Sequence, residues 1–414
     1  MMTNKPAFAV LGGGHGGTAM AVYLAIKGCD VNLYNRTPEN IRYIKQLGGI
    51  YLRYTLDLEE DVFPEGTEHL EAGIRRGARL GYALTPKTEK LVEDHVRYIF
   101  GELNIISSDI KEVIDDRDVI MVVVPATGHE DIAKKCAPHL KDGQTLLLNP
   151  GRCFGALHVD RIIRDHYKEK GQKRPDVTIA EAQTFIYASR RIKPPSVKIF
   201  GVKNSVNIAA IPSYKADAVT SLVGDVYPQF TPVDTVLKTS LGNLGGIFHV
   251  PITILNATRI DRQYDFEYYI DGVTEHTASI LEDVDKERLA IAKAMGVEVI
   301  SARKWLKQTY GSDGIDLYEA VQNTHAYKGI ESPRSINHRY ILEGVPYTCV
   351  PLSSLGKKLD VPTPLIDSFI NLAESALRKY FDIDFFERGR TMEKLGLEDM
   401  SIDEINKLVE TGYK

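Results

Sequence analysis

The segment Gly12-Gly13-Gly14-His15-Gly16-Gly17 limits what this chain can fold into more than any other. It follows a continuous apolar run, Ala7 to Leu11, and precedes a helix-like stretch from about His15 to Lys27 that stops at Gly28. An unbroken apolar run suits a strand buried on both faces of a parallel sheet, and glycine favours a helix C-cap. Gly12, Gly14 and Gly17 have G-x-G-x-x-G spacing. In that pattern the first glycine permits a tight turn and the second lets backbone approach a pyrophosphate. The third lets the helix pack on the strand, and the helix N-terminus faces the phosphates. His15 and Gly16 sit inside the same loop. The motif alone is weak, and the other reading is a flexible turn in an unrelated α/β protein. The flanking strand and helix make dinucleotide binding the expectation.

The same alternation continues. Val31 to Tyr34 reads as a strand, Pro38 begins a helix, Val119 to Val124 is a β-branched run, and a helix from about Glu130 to Leu140 leads to a strand at Thr145 to Leu148. This rhythm implies a doubly wound parallel sheet, a Rossmann domain over residues 1–211. Short runs at Val177 to Ala180, Val197 to Phe200 and Val206 to Ala209 are expected to extend it. Residues 48–101 lose the pattern and read as an insertion or edge hairpin. From Pro212 to residue 414 the periodicity is helical, as at Ala278, Leu281, Val284, Leu289 and Ala292, at Pro362 to Leu377 and at Ser401 to Val409. The fold class expected is an α/β Rossmann domain followed by an all-helical domain.

Composition excludes several functions. A net charge of -5 with no basic bias argues against a nucleic-acid partner. No apolar run is long enough to span a membrane, and Ala7 to Leu11 lacks the basic flank of a signal peptide. Cys29, Cys136, Cys153 and Cys349 have no paired spacing, which suits free thiols in a cytoplasmic protein. No His/Asp/Glu cluster at ligand spacing appears, so no metal is expected. Nothing in the sequence reports the oligomeric state; a homodimer is one possible assembly.

Cofactor preference is read where the second strand ends, at Tyr34-Asn35-Arg36-Thr37. NAD sites usually place a carboxylate there for the ribose hydroxyls. Arg36 instead suits a 2′-phosphate, with Asn35 and Thr37 as neutral hydrogen-bonding partners, so NADP(H) is expected over NAD(H). Arg36 as a plain solvated side chain is the competing reading. Pro125 and Ala126, at the carboxyl end of a sheet strand, are expected on the cofactor side. His129, just beyond, reads equally as a helix-start residue.

A chemically distinctive helix spans Gly242 to Asn256. At about 100° per residue, Gly242, Gly245, Gly246, His249, Thr253 and Asn256 share one face. Each glycine costs roughly 1 kcal/mol against alanine, which suggests that something approaches closely beside His249. Pro251 cannot donate to the carbonyl of Ile247, so a kink is expected next to it. A buried structural histidine is the bland reading. A hydride-transfer enzyme needs a proton donor of near-neutral pKa, which favours His249 as catalytic.

These residues together resemble the opine dehydrogenase (octopine/nopaline dehydrogenase) family over nearly the whole chain. The likeness runs through the glycine loop, Val124-Pro125-Ala126-Thr127-Gly128-His129, Asn149-Pro150-Gly151 and Glu181 to Arg190. It continues in Leu241-Gly242-Asn243, His249-Val250-Pro251, His338 to Pro346, Gly389-Arg390-Thr391 and Leu395-Gly396-Leu397. The resemblance implies that an amino acid and a 2-oxo acid condense to an imine, which NAD(P)H reduces. It implies His249 as acid/base, Arg339 as carboxylate binder and a substrate pocket in the helical domain, where Asn256 is a further candidate. The family pattern R-Y-x-x-E-D-[VI]-P pairs its aspartate with the histidine. Gly344 stands in that place here, so either the neighbouring Glu343 or another carboxylate serves, or the enzyme is slow or its chemistry altered. Two rivals remain. One is another Rossmann-plus-helical dehydrogenase, of hydroxy-acid, polyol-phosphate or ketopantoate type, although those commonly use a lysine that this helix lacks. The other is a non-catalytic NADP(H) sensor.

Overall fold

The structure, a computed structural model, describes residues 5–55, 96–193 and 195–412. The N-terminal part begins β1 (Phe8–Leu11), α1 (His15–Ile26), β2 (Val31–Tyr34), α2 (Pro38–Leu47), β3 (Gly49–Thr55) and β4 (Val96–Glu102). It continues with β5 (Ile106–Ser107), α3 (Ile110–Ile114), β6 (Val119–Val122), α4 (His129–Cys136), β7 (Thr145–Leu148) and α5 (Gly155–Glu169). It ends with β8 (Thr178–Ala182), β9 (Tyr187–Lys193), β10 (Ser196–Val202), β11 (Val206–Ile211), α6 (Ala216–Val223) and β12 (Phe230–Pro232).

Eight strands form one sheet in the order β12-β11-β8-β7-β6-β1-β2-β5. β1 pairs in parallel with both β2 and β6, so the chain winds outward from the centre in both directions. Every residue of β1, β2, β6 and β7 is buried, which explains their lack of polar alternation. Beyond their carboxyl ends, the β1–β6 crevice is the switch point where such sheets bind ligands.

A second sheet, ordered β4-β3-β10-β9, packs on α1. It holds the flanks of the expected insertion: β3 and β4 pair antiparallel from Gly49↔Glu102 to Thr55↔Val96. The segment between them, residues 56–95, lies outside the described residues. The run Val197 to Phe200 belongs to this sheet rather than extending the main one, pairing with β3 and β9. Its burial alternates residue by residue at Ser196 to Ile199, as a sheet covered on one face requires.

The main sheet also runs past Ile211, through α6 to β12, so all-helical structure starts later than the expected 212. A three-residue strand ending in proline carries no readable period. Beyond it come α7 (Val236–Leu241), α8 (Gly245–Leu255), α9 (Glu275–Ala294), α10 (Ala302–Tyr310), α11 (Leu317–Gln322) and α12 (Arg339–Leu342). α13 (Val350–Lys358), α14 (Pro364–Leu377) and α15 (Ile402–Thr411) complete the described long elements. One apolar cluster joins the two parts: Phe154 and Leu157 at α5 pack with Ile247 and Val250 of α8. Among the described residues, no helix is long and apolar enough to cross a membrane.

Candidate active site

The glycine loop closes because three positions lack side chains. Gly12 has φ +130°, and a Cβ there would collide with the Val123 carbonyl. A Cβ on Gly17 would collide with the Gly12 carbonyl, so α1 rises directly from the turn. At Gly14 an added Cβ meets nothing within 4 Å, which leaves open space at the start of α1. Those features fit a pyrophosphate against the helix N-terminus. Gly16 instead abuts the Phe185 ring, 2.9 Å from where a Cβ would lie.

Neighbours pin the loop from two sides. Asn35 Oδ1 accepts the Gly13 N–H at 3.0 Å while its Nδ2 donates to the Thr37 carbonyl at 2.8 Å, so Asn35 ties the loop to the end of β2. From β9, the Arg191 N–H donates to His15 Nδ1 at 2.8 Å, and its guanidinium reaches the carbonyls of Gly13 and Asn40. His15 thus shapes the loop. Burial, then Arg190, Arg191 and Arg339, lower its pKa. Arg36 and Thr37 are exposed, and Arg36 makes no hydrogen bond or ion pair among the described residues. Pro125 is exposed beyond β6, whereas Ala126 is buried and its N–H donates to Glu343 Oε1 at 3.0 Å.

The glycines of the histidine face are filled by protein. An added Cβ would meet Gln183 Nε2 at Gly242, Arg152 Nη1 at Gly245 and Thr348 Cβ at Gly246. The close approach expected beside His249 is therefore made by side chains of the fold, and helix α8 starts at Gly245 rather than Gly242. His249 is half-buried. Its Nε2 lies 3.0 Å from the Tyr269 hydroxyl, and Tyr340 stacks on its ring at 4.1 Å and 21°. Burial, then the positive Arg152 and Arg339, push its pKa well below 6.5 against an opposing pull from Glu343. Asn256 is not brought to this site. It caps α8, with Nδ2 donating to the carbonyls of Ile252 and Gly272 and Oδ1 accepting from Arg259.

Glu343 is the centre of the charge arrangement, and among the described residues it makes no hydrogen bond to His249. Its buried carboxylate accepts from Arg152 Nε at 3.3 Å and Nη2 at 3.1 Å, from Arg339 Nη2 at 3.1 Å and from Ala126. Burial raises its pKa, but Arg152, Arg339 and the Ala126 N–H prevail and hold it down at about 2. Of the alternatives for the histidine's partner, Glu343 is not the one brought to it: its carboxylate is taken up in an Arg152–Glu343–Arg339 cluster. Arg339 keeps 57% of its side chain exposed while Arg152 keeps 8%. Gly344 points its missing side chain at α8: a Cβ there would lie 2.7 Å from Val250 Cγ2.

Sequence alone names neither Arg152 nor Tyr269, and it carries Arg390 and Tyr340 only within matching stretches, with no role. Arg390 is buried, donates to the carbonyls of Gly151 and Cys153 at 3.0 and 2.8 Å, and holds His129 Nδ1 at 2.8 Å. His129 is fully buried and is the first residue of α4, the helix-start reading of the two that its sequence position offered. Arg390 stands within the quoted Gly389-Arg390-Thr391, and Arg152 directly follows Asn149-Pro150-Gly151.

A glycine loop of phosphate-binding pattern at a sheet switch point, with a helical part whose exposed Arg339 is tied to the end of β6 through Glu343, is the layout of a two-domain nicotinamide-dinucleotide dehydrogenase. Comparison with known proteins places it further. Residues 232–377 match the family described as NAD/NADP octopine/nopaline dehydrogenase, alpha-helical domain. The chain is 36% identical to the opine dehydrogenase of Arthrobacter sp. (strain 1C), over 99% of this chain and 100% of that one. In fold it resembles octopine dehydrogenase with NADH and L-arginine (TM-score 0.74, 19% identity, 99% of each chain). NADP+-bound yersinopine dehydrogenase is also similar (TM-score 0.66, 15% identity, 99% of each chain). The chain belongs to the opine dehydrogenase family, NAD(P)-dependent oxidoreductases acting on the CH–NH group of donors.

Proposed function

We propose that this enzyme condenses an amino acid with a 2-oxo acid and reduces the resulting imine, with His249 as acid/base and Arg339 as carboxylate binder. The observation that carries this reading is the cluster at the domain junction. One buried carboxylate, Glu343, is anchored on the Ala126 N–H at the end of β6 and holds Arg339 with one face open to solvent. Burial first, and then the same arginines, disfavour a positive charge on His249. Two guanidiniums against one carboxylate leave a net positive site suited to an anionic substrate.

The open space at Gly14 and the exposed Arg36 fit a dinucleotide, and with no carboxylate at the end of β2 the fit favours NADP(H) over NAD(H). A bound reduced nicotinamide supplies the hydride for the imine carbon. The chain's own residues do the rest. Arg339 fixes the 2-oxo acid carboxylate by a bidentate contact, which orients its carbonyl carbon. His249 handles the proton as the amine adds and water leaves. The half-buried, ring-lined setting of His249 limits water around it.

The test is a screen of amino acid and 2-oxo acid pairs, following nicotinamide absorbance, run on the wild type and on His249→Ala. Turnover with at least one pair, abolished in His249→Ala with cofactor binding intact, is expected. Full activity in the variant refutes the acid/base role, and binding without turnover for every pair supports a sensor instead.

A further inference from the structure

We infer that Tyr269 is the positioning residue of His249, its hydroxyl taking over the orienting role for which Gly344 offers no side chain. The inference rests on His249 being the acid/base proposed above. Three observations converge on it. The place of the missing aspartate is closed, since Val250 Cγ2 lies 2.7 Å from where a Cβ on Gly344 would be. The neighbouring carboxylate, Glu343, is taken up by Arg152, Arg339 and the Ala126 N–H. The Tyr269 hydroxyl sits 3.0 Å from His249 Nε2.

Tyr269 is also held too firmly to be an incidental neighbour. Its ring stacks on Tyr327 at 4.0 Å and 14° and meets Tyr268 edge-on at 4.9 Å, while Tyr340 covers the imidazole. Tyr268 in turn donates to the His249 carbonyl at 2.9 Å. The hydroxyl of buried Tyr269 has no other hydrogen-bond partner among the described residues. If Nε2 carried the imidazole proton, the phenolic hydrogen would be stranded, at a cost of about 1–3 kcal/mol. Tyr269 therefore donates to Nε2, and the proton of neutral His249 resides on Nδ1.

The consequence differs from that of a carboxylate partner, which would stabilise imidazolium. A phenol donating to Nε2 stabilises the neutral ring. Of the other charged or titratable groups acting on it, Arg152 and Arg339 of the cluster and His338 beside α12 oppose a positive charge, and Glu343 favours it. Tyr268, Tyr269 and Tyr340, the rings packed against it, keep their protons, because burial raises all three. His249 thus meets the substrate as a neutral Nδ1–H donor.

The experiment compares wild type with Tyr269→Phe, which keeps the ring and removes the hydroxyl. Imidazole nitrogen shifts of His249, assigned by difference against His249→Gln, are expected to show the neutral Nδ1–H tautomer in the wild type and a mixture in the variant. The acid limb of kcat is expected to move to higher pH in the variant. Its kcat should fall about 2- to 10-fold, the range of one neutral hydrogen bond, with KM for the 2-oxo acid little changed. An Nε2–H tautomer in the wild type overturns the inference, whether or not the variant folds. So does a variant with unchanged tautomer and pH profile. Activity surviving in His249→Ala would instead overturn the proposed function and leave the tautomer result standing.

Discussion

Replacing Glu343 by Gln tests the charge cluster directly. The carboxylate holds Arg152 and Arg339 and accepts the Ala126 N–H. Gln keeps the volume but leaves Arg152 buried without its counter-charge. Burial favours the protonated acid, yet the two arginines and the N–H bring the pKa from its ordinary 4.5 to about 2. A carboxyl lowered this far in the folded state contributes about 3 kcal/mol, in line with the cost of breaking a buried pair. The sign follows from the direction. Because the folded pKa lies below the unfolded one, the stability is present above about 4.5 and lost as pH falls toward about 2. At about 2.1 cal/mol/K of unfolding entropy per residue, a chain of this size should lose roughly 3–4 °C in Tm. Calorimetry on both proteins at pH 7 and pH 3 is the assay, and the gap should shrink by about half at the lower pH. Equal Tm values at pH 7, or a gap unaffected by pH, would refute the reasoning.

Three further substitutions separate the roles. Arg339→Ala should lower kcat/KM for the 2-oxo acid by about 100-fold or more, the scale of a lost charge-assisted contact, with cofactor affinity unchanged; an unaltered KM would remove Arg339 from the substrate. Arg36→Ala should weaken NADPH by about 10- to 100-fold and leave NADH untouched, and equal losses for both cofactors would show that it does not read the 2′-phosphate. Gly344→Asp should destabilise by about 1–3 kcal/mol through overpacking on Val250. Adding Val250→Ala should restore the Tm and shift the acid limb of kcat upward, and a double variant with a wild-type pH profile would mean the new carboxylate never reaches His249.

Much of the fold was legible because the central strands are short, wholly buried and almost unbroken in apolar character, and the glycine loop joins one of them to a helix. Where burial is one-sided or an element is brief, pattern reading failed: β10 was assigned to the wrong sheet and β12 was missed. At the site, His249 and Arg339 could be named from motif and resemblance. Their partners could not, because Arg152 lies nearly two hundred residues before Glu343, and an arginine or tyrosine in isolation reads as surface or core. The glycines of the α8 face gave a true signal with a mistaken source. Helical periodicity reports that a face is bare, whereas only the tertiary structure says that Gln183, Arg152 and Thr348 lie against it.

That bare face explains how the two parts of the molecule are kept in one geometry. Arg152 and Phe154 adopt left-handed backbone, φ +59° and +58°, a conformation that costs non-glycine residues about 1–3 kcal/mol each. The loop is held in it from the helical side, where Arg390 grips the carbonyls of Gly151 and Cys153 and Ser240 Oγ accepts the Phe154 N–H at 2.8 Å. So fixed, Arg152 enters the gap at Gly245 and meets Glu343, whose other contacts reach the end of β6 and Arg339. Every link but the last, Glu343 to Arg339, crosses the junction between sheet and helices. The position of Arg339 relative to the glycine loop is therefore set by this buried relay and not by α12, which is four residues long and exposes most of the Arg339 side chain. A carboxylate-binding arginine on so short a helix needs a support of this kind, and the hydrogen bonds of Glu343 go to that support and not to the histidine.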